Sequence, residues 1–302
     1  MEDFEGKVAF ITGGGSGAGL GQAKVFSRAG CKVALADVRP DHLDQATAAL
    51  KERGATVLPV RLDITDREAF KRAADRVEAE LGPVQLLFNT AGVSIFGPLE
   101  KATYEDYDWV FGVNLNGVVN GMQTFVPRMI AHGNGGHIVN TSSLGCFFTG
   151  SYAGIYSASK FAVHGITMAM RDALARYNIG VSVLCPANIN SNIGESIKTR
   201  PAHLARSGYN VDEREIQALK EIYSQGMDPE ELAGHVMEAI KQNRFYIIPY
   251  PEARQPLEAA FKQVIDALPP EDSDPAGVAK RHAAMMKYAQ TRTLLDKEKY
   301  GA

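Results

Sequence analysis

Two side chains that can act together in proton transfer, Tyr156 and Lys160, lie four residues apart. On a helix this spacing places the phenol and the ammonium on one face. A free phenol has a pKa near ~10, so its use as a base near neutral pH requires its anion to be stabilised by roughly 3 to 4 kcal/mol. A neighbouring ammonium supplies part of that. The pair alone is not diagnostic, because many helices carry it by chance, and its meaning depends on the rest of the chain.

The N-terminal segment has the pattern of a strand, a glycine-rich loop and a helix. An apolar run at 8–11 leads into Thr12-Gly13-x-x-x-Gly17-x-Gly19, and a helical pattern follows. The backbone N–H groups of such a loop and the helix N-terminus behind it can bind a pyrophosphate, and glycines let the backbone approach it closely. The alternative is a flexible linker, which the flanking strand disfavours.

A second strand pattern, residues 32–36, ends in Asp37. An acidic residue at this place can accept hydrogen bonds from the adenosine ribose hydroxyls and repels a 2′-phosphate. Arg39 is near enough to face a phosphate, but Ser16 and Val38 carry no charge where a basic residue would help more directly. The residues therefore favour NAD over NADP as the cofactor. The alternative for Asp37 is a turn residue that begins the next loop.

Composition indicates an enzyme without nucleic-acid or membrane partners. The chain has 302 residues, 45% hydrophobic, with a net charge of -3, so it offers no basic surface for nucleic acid and no polybasic segment for a membrane. No apolar run approaches the roughly eighteen residues of a membrane span. Cys31, Cys146 and Cys185 are widely spaced, which indicates neither a disulfide framework nor a Cys-x-x-Cys site. We expect reduced thiols, a cytoplasmic location and, because the histidines are scattered, no metal site.

Strand and helix patterns alternate along most of the chain. Apolar strand patterns occur at 8–11, 33–36, 56–60, 84–88, 138–141, 181–184 and 245–248, and helical patterns at 17–29, 41–53, 66–81, 105–132, 154–177 and 229–242. This alternation predicts an α/β fold with a doubly wound (Rossmann) parallel sheet of about seven strands. We expect a single domain, with dinucleotide binding and catalysis in 1–250, a substrate loop at about 187–228, and 251–302 as a C-terminal extension of that domain.

With these motifs in order, the chain resembles the short-chain dehydrogenase/reductase family from about Lys7 to about Tyr250. The motifs that carry the resemblance are the glycine loop, Asp63 after the third strand, Asn89-Thr90-Ala91-Gly92, Asn114 in Asn-Leu-Asn-Gly, Ser143 in Thr-Ser-Ser, Tyr156-x-x-x-Lys160 and Pro186. Two positions depart from the family pattern. Thr90 stands where a second Asn is more common, and Ala187 replaces a glycine, which makes the backbone near the nicotinamide less permissive.

The resemblance implies a role for each of four catalytic residues. Tyr156 would be the general acid/base, and Lys160 would lower its pKa and bind the nicotinamide ribose. Ser143 would hold the substrate oxygen, although a lone serine there is more often a strand-end cap. Asn114, a poor residue for mid-helix, resembles the family's Asn whose local backbone distortion holds a water between Lys160 and solvent. Hydride would pass directly between the substrate carbon and the nicotinamide.

The resemblance also implies a cofactor-binding set and self-association. The cofactor set comprises Gly13, Ser16, Gly17, Gly19, Asp37, Asp63, Ile64, Asn89, Ala91, Gly92, Tyr156, Lys160, Pro186, Ile189 and Ser191. In the family, helices equivalent to 105–132 and 154–177 pack against symmetry mates, so we expect a homodimer or homotetramer. The apolar residues there that exceed the needs of one sheet face are Trp109, Phe111, Met122, Phe125, Met168 and Met170. The alternative is that they belong to the core of one subunit.

A closer resemblance concerns the substrate. Segments 10–14, 112–117, 125–130, 186–189 and 246–251 look like those of bacterial Cα-dehydrogenases, which oxidise the benzylic alcohol of lignin-derived β-aryl ethers. A bulky aryl alcohol needs an aromatic, uncharged pocket. The loops beyond the strand ends offer Ile95, Phe96, Leu144, Phe147, Phe148, Tyr152, Ile193, Ile197 and Tyr209, of which we expect about half to contact the substrate.

Two other classes of function remain open at this stage. One is an NADPH-dependent carbonyl reductase of the same fold, and the other is a cofactor-sensing binding protein without chemistry. The presence of Asn114, Ser143, Tyr156 and Lys160 together disfavours a pure binding protein, since binding alone does not require all four.

Overall fold

A computed structural model describes residues 1, 3–270 and 273–300, and the chain forms two compact units, Met1–Ala253 and Arg254–Ala302. The first unit carries seven strands: β1 (Val8–Thr12), β2 (Lys32–Asp37), β3 (Val57–Arg61), β4 (Val84–Asn89), β5 (Gly136–Thr141), β6 (Ile179–Leu184) and β7 (Tyr246–Ile247). They form one sheet in the order β3-β2-β1-β4-β5-β6-β7, and every pairing is parallel. The predicted doubly wound sheet is confirmed.

Among the described residues of the first unit, eight α-helices accompany the sheet. They are α1 (Gly17–Arg28), α2 (Pro40–Glu52), α3 (Arg67–Leu81), α4 (Tyr104–Phe111), α5 (Gly117–His132), α6 (Gly154–Ala175), α7 (Glu213–Ser224) and α8 (Pro229–Lys241). Several begin at side chains that cap free backbone N–H groups. Asp66 caps α3, Asp212 caps α7 and Asp228 caps α8, whose first residue is a proline. Each of these aspartates accepts a hydrogen bond from a backbone N–H of the first turn, which fixes the residue at which its helix begins.

The sheet is covered by apolar side chains on both faces. Because successive strand residues point to opposite faces, Phe10 of β1 joins one core and Ile11 joins the other. The Phe10 ring lies 4.6 Å from that of Phe125 in α5, and Phe26 of α1 lies 4.8 Å from Phe88 of β4. Burial on both faces is the reason that the strands appear in the sequence as continuous apolar runs.

The helical pattern at 105–132 is not one regular helix. It consists of α4, a π-helical turn at Gly112–Asn116, and α5. α4 begins with a capping box in which Thr103 accepts from the backbone N–H of Asp106 and Asp106 accepts from that of Thr103. A π-turn inserts one extra residue into a helical turn and so distorts the backbone. This turn contains Asn114, the residue around which a distortion was expected.

The described part of the second unit contains two helices, α9 (Arg254–Asp266) and α10 (Pro275–Tyr300). Their apolar residues include Phe261, Ile265, Met285 and Leu294, all exposed. The sequence pattern predicts no helix here, because the prolines between 249 and 270 interrupt the helical periodicity. In the described residues, no helix is long and apolar enough to cross a membrane.

Candidate active site

A cavity of about 520 Å³ opens at the carboxyl ends of the strands. Its walls come from the glycine loop after β1, the ends of β2 and β4 to β6, the first turns of α6, and a 3-10 segment at Asn192–Thr199. Between β1 and β4 the strand order reverses direction, and in doubly wound sheets ligands bind at that switch point. The cavity therefore lies where the topology predicts it.

The glycine loop leaves space at the cavity that side chains on its glycines would occupy. Gly13 and Gly17 have φ of +67° and +50°, a conformation that other residues adopt at a cost in energy. A Cβ on Gly13 would lie 2.8 Å from Ala91 Cα, and one on Gly17 would lie 2.6 Å from Ser191 Cβ. Ser16 precedes α1 in an extended conformation and makes no capping hydrogen bond with its side chain. Its hydroxyl and the helix N-terminus are thus positioned for a pyrophosphate.

Asp37 closes the adenosine end of the cavity. Its two carboxylate oxygens accept hydrogen bonds from Gly15 N and Arg39 N, each at 2.9 Å. A carboxylate has about four lone-pair positions, so two remain for the hydroxyls of a ribose. These residues fit a dinucleotide with a free 2′-hydroxyl.

Arg39 is the cation nearest to Asp37, and it is already paired with carboxylates. Its guanidinium lies 2.5 Å from Asp41 and 3.6 Å from Glu195 of the 3-10 segment. Hydrogen bonds from Lys220 and Lys198 lower the pKa of Glu195 to about 2, so that carboxylate is ionised at neutral pH. Because acidic groups neutralise Arg39, it is poorly placed to bind a 2′-phosphate.

Lys160 lies one helical turn after Tyr156 in α6, as the spacing predicted. Its side chain is 3% exposed, and Nζ donates a hydrogen bond to Thr141 O at 3.1 Å. Nζ also lies 5.7 Å from the centre of the Tyr156 ring. Burial, which disfavours the charged ammonium, lowers the pKa of Lys160 to about 8. The lysine is therefore mostly protonated at neutral pH and faces the phenol as a cation.

The pKa of Tyr156 differs from the sequence-based expectation. Burial raises it above the ordinary value for a phenol, and the nearby Tyr223 adds to the increase, while a hydrogen bond with Ser143 acts in the opposite direction. The expected depression by Lys160 is not present in the protein alone, because burial disfavours the charged phenolate more strongly than the contact with Ser143 favours it. The sequence gives no measure of this desolvation, which depends on tertiary packing.

Ser143 and Asn114 hold the loops around this pair. Ser143 Oγ accepts from Gly145 N at 3.1 Å and is 3.4 Å from Pro186 O, to which it donates. Asn114 is fully buried, and its amide accepts from Val93 N at 2.8 Å and donates to Val93 O at 3.0 Å. It also donates to the hydroxyl of Ser159 in α6 at 3.0 Å. Asn114 thus joins the loop after β4 to the helix that carries Tyr156.

The structure brings nearly all of the predicted cofactor residues together. Every one of them lines the cavity except Asn89. Asn89 is buried in the sheet, where its Nδ2 donates to Asn140 Oδ1 at 2.8 Å and so links β4 to β5. The motif around Asn89 identified a strand end correctly, but the side chain points into the protein.

The predicted substrate residues are placed less uniformly. Of the nine, Ile193 alone lines the cavity, so the expectation that about half would lie there is not met. The Phe96 ring centre is 6.0 Å from that of Tyr156, but Phe96 does not line the cavity either. Ile95, Ile197 and Tyr209 pack around Trp109 in a separate apolar cluster, Phe147 stacks edge-on to His164 at 5.0 Å, and Tyr152 is 63% exposed. Leu144 N donates to Pro186 O at 2.9 Å, and Phe148 is half-buried beside these residues.

Sequence reasoning missed a buried ion pair that holds the wall of the cavity. Asp106 is fully buried in α4, and Arg200 NH1 donates to it at 2.7 Å. Asp106 also accepts from the Ser207 hydroxyl at 2.7 Å and from Gly208 N at 3.2 Å. The Arg200 guanidinium lies 5.1 Å from the centre of the Trp109 ring. No local pattern could reveal this pair, because its members are far apart in the chain.

Tyr223 is a further residue of the cavity wall that the sequence did not indicate. It lies near the end of α7 and lines the cavity together with Ser143 and Tyr156. The sequence showed only a charged helical stretch from Val211, and its amphipathic pattern did not distinguish a cavity-facing phenol from an exposed one. Within the described residues, no group of three His, Cys, Asp or Glu side chains is arranged to hold a metal ion, and all three cysteines are free and buried.

Comparison with known proteins identifies the family. Residues 7–202 match the family model for short chain dehydrogenases, which covers the glycine loop, Asn114, Ser143, Tyr156 and Lys160. The chain belongs to the short-chain dehydrogenase family. It is an oxidoreductase with the family's fold and catalytic motifs.

Individual members of this family resemble the chain over most of its length. The dehydrogenase is 52% identical over 294 residues to the C alpha-dehydrogenase of Sphingobium sp. (strain NBRC 103272 / SYK-6), which covers 97% of this chain and 96% of that protein. The crystal structure of the apo form of LigD from Sphingobium sp. strain SYK-6 superimposes with a TM-score of 0.75 at 48% identity, covering 89% of this chain and 100% of that one. A short chain dehydrogenase/reductase from Burkholderia phymatum in complex with NAD gives a TM-score of 0.84 at 34% identity, covering 90% and 99%.

Proposed function

We propose that this dehydrogenase oxidises the benzylic (Cα) secondary alcohol of a lignin-derived β-aryl ether to the ketone, with NAD as the acceptor. The observation that carries the proposal is the 52% identity to a C alpha-dehydrogenase over 97% of the chain, because it extends through the substrate interval as well as the common core. The likeness to a Burkholderia protein in complex with NAD, and the free acceptor positions of Asp37, support NAD as the cofactor.

Each step of the proposed mechanism uses a group described above. NAD, held by the glycine loop and Asp37, would supply the hydride acceptor for the benzylic carbon. The Ser143 hydroxyl would hold the substrate oxygen, and the Tyr156 phenolate would remove the proton from the substrate hydroxyl. Ser143 and Tyr156 line the same cavity, so both hydroxyls would act on the same reacting oxygen.

The cation of Lys160 makes Tyr156 usable as a base. Burial raises the pKa of Tyr156, so its phenolate requires positive charge nearby. Lys160 supplies one charge, and its hydrogen bond to Thr141 O keeps the ammonium beside the ring. The Lys160 ammonium is the chain's own contribution to stabilising the phenolate, and a bound oxidised cofactor would add positive charge beside it. Asn114 is proposed to hold the family's water that connects Lys160 to solvent.

A direct assay tests this function. The purified enzyme is incubated with a two-ring β-aryl ether that bears a benzylic hydroxyl, with NAD or NADP, and the reduced nicotinamide is followed by absorbance while the ketone is identified by mass spectrometry. We expect turnover with NAD and little with NADP. The Tyr156→Phe variant should bind NAD but give no ketone, because only the ionisable oxygen is lost. Efficient turnover of short aliphatic alcohols with none of the two-ring ether would contradict the proposal.

A further inference from the structure

Two side chains of opposite charge, Arg39 and Glu195, meet at the wall of the cavity. Arg39 follows β2, Glu195 belongs to the 3-10 segment Asn192–Thr199, and both line the cavity. Arg39 NH1 lies 3.6 Å from Glu195 Oε2. Arg39 N also donates to the carboxylate of Asp37 at 2.9 Å. Two segments that are far apart in the chain thus bring their charges together beside Asp37.

The carboxylate of Glu195 is fixed in place by two lysines. Lys220 Nζ of α7 lies 2.7 Å from Oε1, and Lys198 Nζ lies 3.0 Å from the same oxygen. The side chain of Glu195 is only 12% exposed, so solvent screens its charge less than that of a surface group. The lysines hold one oxygen of the carboxylate, and the other oxygen is left for Arg39.

Arg39 has a second carboxylate partner, Asp41, on its other edge. Nε and NH2 donate to Asp41 at 3.2 and 2.5 Å, while NH1 faces Glu195. Asp41 is exposed and does not line the cavity. Glu195 is therefore the partner that lines the cavity together with Arg39, and it decides whether the NH1 edge of the guanidinium is free.

The NH1 edge matters because NADP carries a phosphate on the 2′-oxygen of its adenosine ribose. A phosphate has about −1.5 to −2 charges at neutral pH and is bound well by a planar guanidinium. Among the described side chains that line the cavity, Arg39 and Lys160 are the only arginine or lysine, and Lys160 lies beside Tyr156. Arg39 is thus the cation that a 2′-phosphate beside Asp37 would need.

We propose that Glu195 is a positioning residue that excludes NADP, because it holds the guanidinium of Arg39 and cancels its charge. The inference rests on the proposed function, which takes NAD as the cofactor. It adds a determinant of cofactor choice that lies outside β2 and the loop after it. Asp37 repels the 2′-phosphate, and Glu195 withholds the cation that could bind it.

Nucleotide binding in the absence of any alcohol tests the inference. Isothermal titration calorimetry gives the dissociation constants of NAD and NADP for wild type and for Glu195→Gln. We expect the substitution to lower the ratio of the NADP constant to the NAD constant roughly five- to tenfold, because it removes a unit charge close to the phosphate. Glu195→Asp keeps the charge and should keep most of the wild-type ratio.

Glu230→Gln is the matched control. Glu230 also pairs with two cations, Lys24 at 3.0 Å and Arg28 at 2.7 Å, but none of the three lines the cavity. This variant changes the charge of the protein by the same amount and should leave the ratio unchanged. In a protein that already carries Arg39→Ala, Glu195→Gln should give no gain for NADP, because the gain depends on the guanidinium.

The outcomes separate this inference from the proposed function. An unchanged ratio in Glu195→Gln, an equal change in Glu230→Gln, or a gain that persists without Arg39 would overturn the inference, whatever alcohol the enzyme oxidises. Failure to oxidise a two-ring benzylic ether would overturn the proposed substrate and leave the binding result intact. A fall in the ratio that requires both the loss of the Glu195 charge and the presence of Arg39 would support the inference.

Discussion

Replacing Lys160 with methionine should abolish activity but make the protein more stable at neutral pH. The pKa of this buried ammonium falls from its ordinary 10.5 to about 8, which corresponds to about 3 kcal/mol of destabilisation of its charged form by the fold. The variant also loses the hydrogen bond to Thr141 O, worth about 1 kcal/mol. The net effect is a gain of about 2 kcal/mol, because methionine fills a similar volume without a charge.

The pH dependence distinguishes this explanation from a simple packing effect. Between pH 8 and 10.5 the unfolded chain binds more protons than the folded one, because the lysine pKa is lower in the folded state. Wild-type stability therefore rises with pH in this window. Methionine does not titrate, so the advantage of the variant should shrink to less than about 1 kcal/mol by pH 9.5.

Thermal unfolding at pH 7 and pH 9.5 measures both effects. We expect the midpoint of Lys160→Met to be higher than that of wild type by about 4 to 8 °C at pH 7, on a scale of about 2 to 4 °C per kcal/mol for a domain of this size. The control is Lys71→Met, a lysine exposed on α3, which should shift the midpoint little and equally at both pH values. A variant no more stable than wild type at pH 7, or a gain that persists at pH 9.5, would refute the reasoning.

Three further predictions concern the rest of the site and the surface. Asp106→Asn should destabilise the protein by about 3 to 5 kcal/mol, because a buried guanidinium loses its counter-charge, and a shift of the unfolding midpoint below 2 °C would argue against it. Asp37→Ser combined with Val38→Arg should move the ratio of kcat/KM from NAD toward NADP, whereas equal use of both cofactors by wild type would show that Asp37 does not select. Light scattering at micromolar concentration should give the mass of a dimer or tetramer. The double variant Phe161→Glu with Met168→Glu should lower that mass, because both side chains are about half exposed on α6. A monomeric wild-type protein would exclude an interface formed by α6.

The elements of the first unit could be predicted from the sequence because each rests on local patterns. The continuous apolar runs correspond to strands buried on both faces, and glycines and caps mark where the helices begin and end. The placement of Tyr156 and Lys160 on one helix was predictable for the same reason, but their proposed role followed from the family resemblance. The backbone distortion at Asn114 was likewise implied by that resemblance, with an asparagine in a helical pattern as the local sign.

The substrate wall could not be predicted to the same extent. Aromatic composition does not reveal which side chains turn inward: no residue from Leu144 to Tyr152 lines the cavity, and Tyr209 lies in a separate apolar cluster. The residues that build the wall, Arg200 with Asp106, act through contacts between distant parts of the chain. The same limit applies to self-association, because Trp109, Met122 and Phe125 proved to be buried within the subunit, whereas Met168 is exposed.

The ion pair between Arg39 and Glu195 connects the loop after β2 to the 3-10 segment Asn192–Thr199. Arg39 lies two residues after Asp37, which we propose binds the nucleotide, and Glu195 belongs to the 3-10 segment that carries Ile193 at the cavity wall. A movement of that segment therefore changes the charge next to the nucleotide. Binding free energies are reciprocal. If the bound nucleotide changes the affinity for the alcohol by some factor, the bound alcohol changes the affinity for the nucleotide by the same factor. Cofactor preference in this enzyme should consequently not evolve independently of substrate choice, and variants selected for NADP should show altered dissociation constants for the alcohol as well.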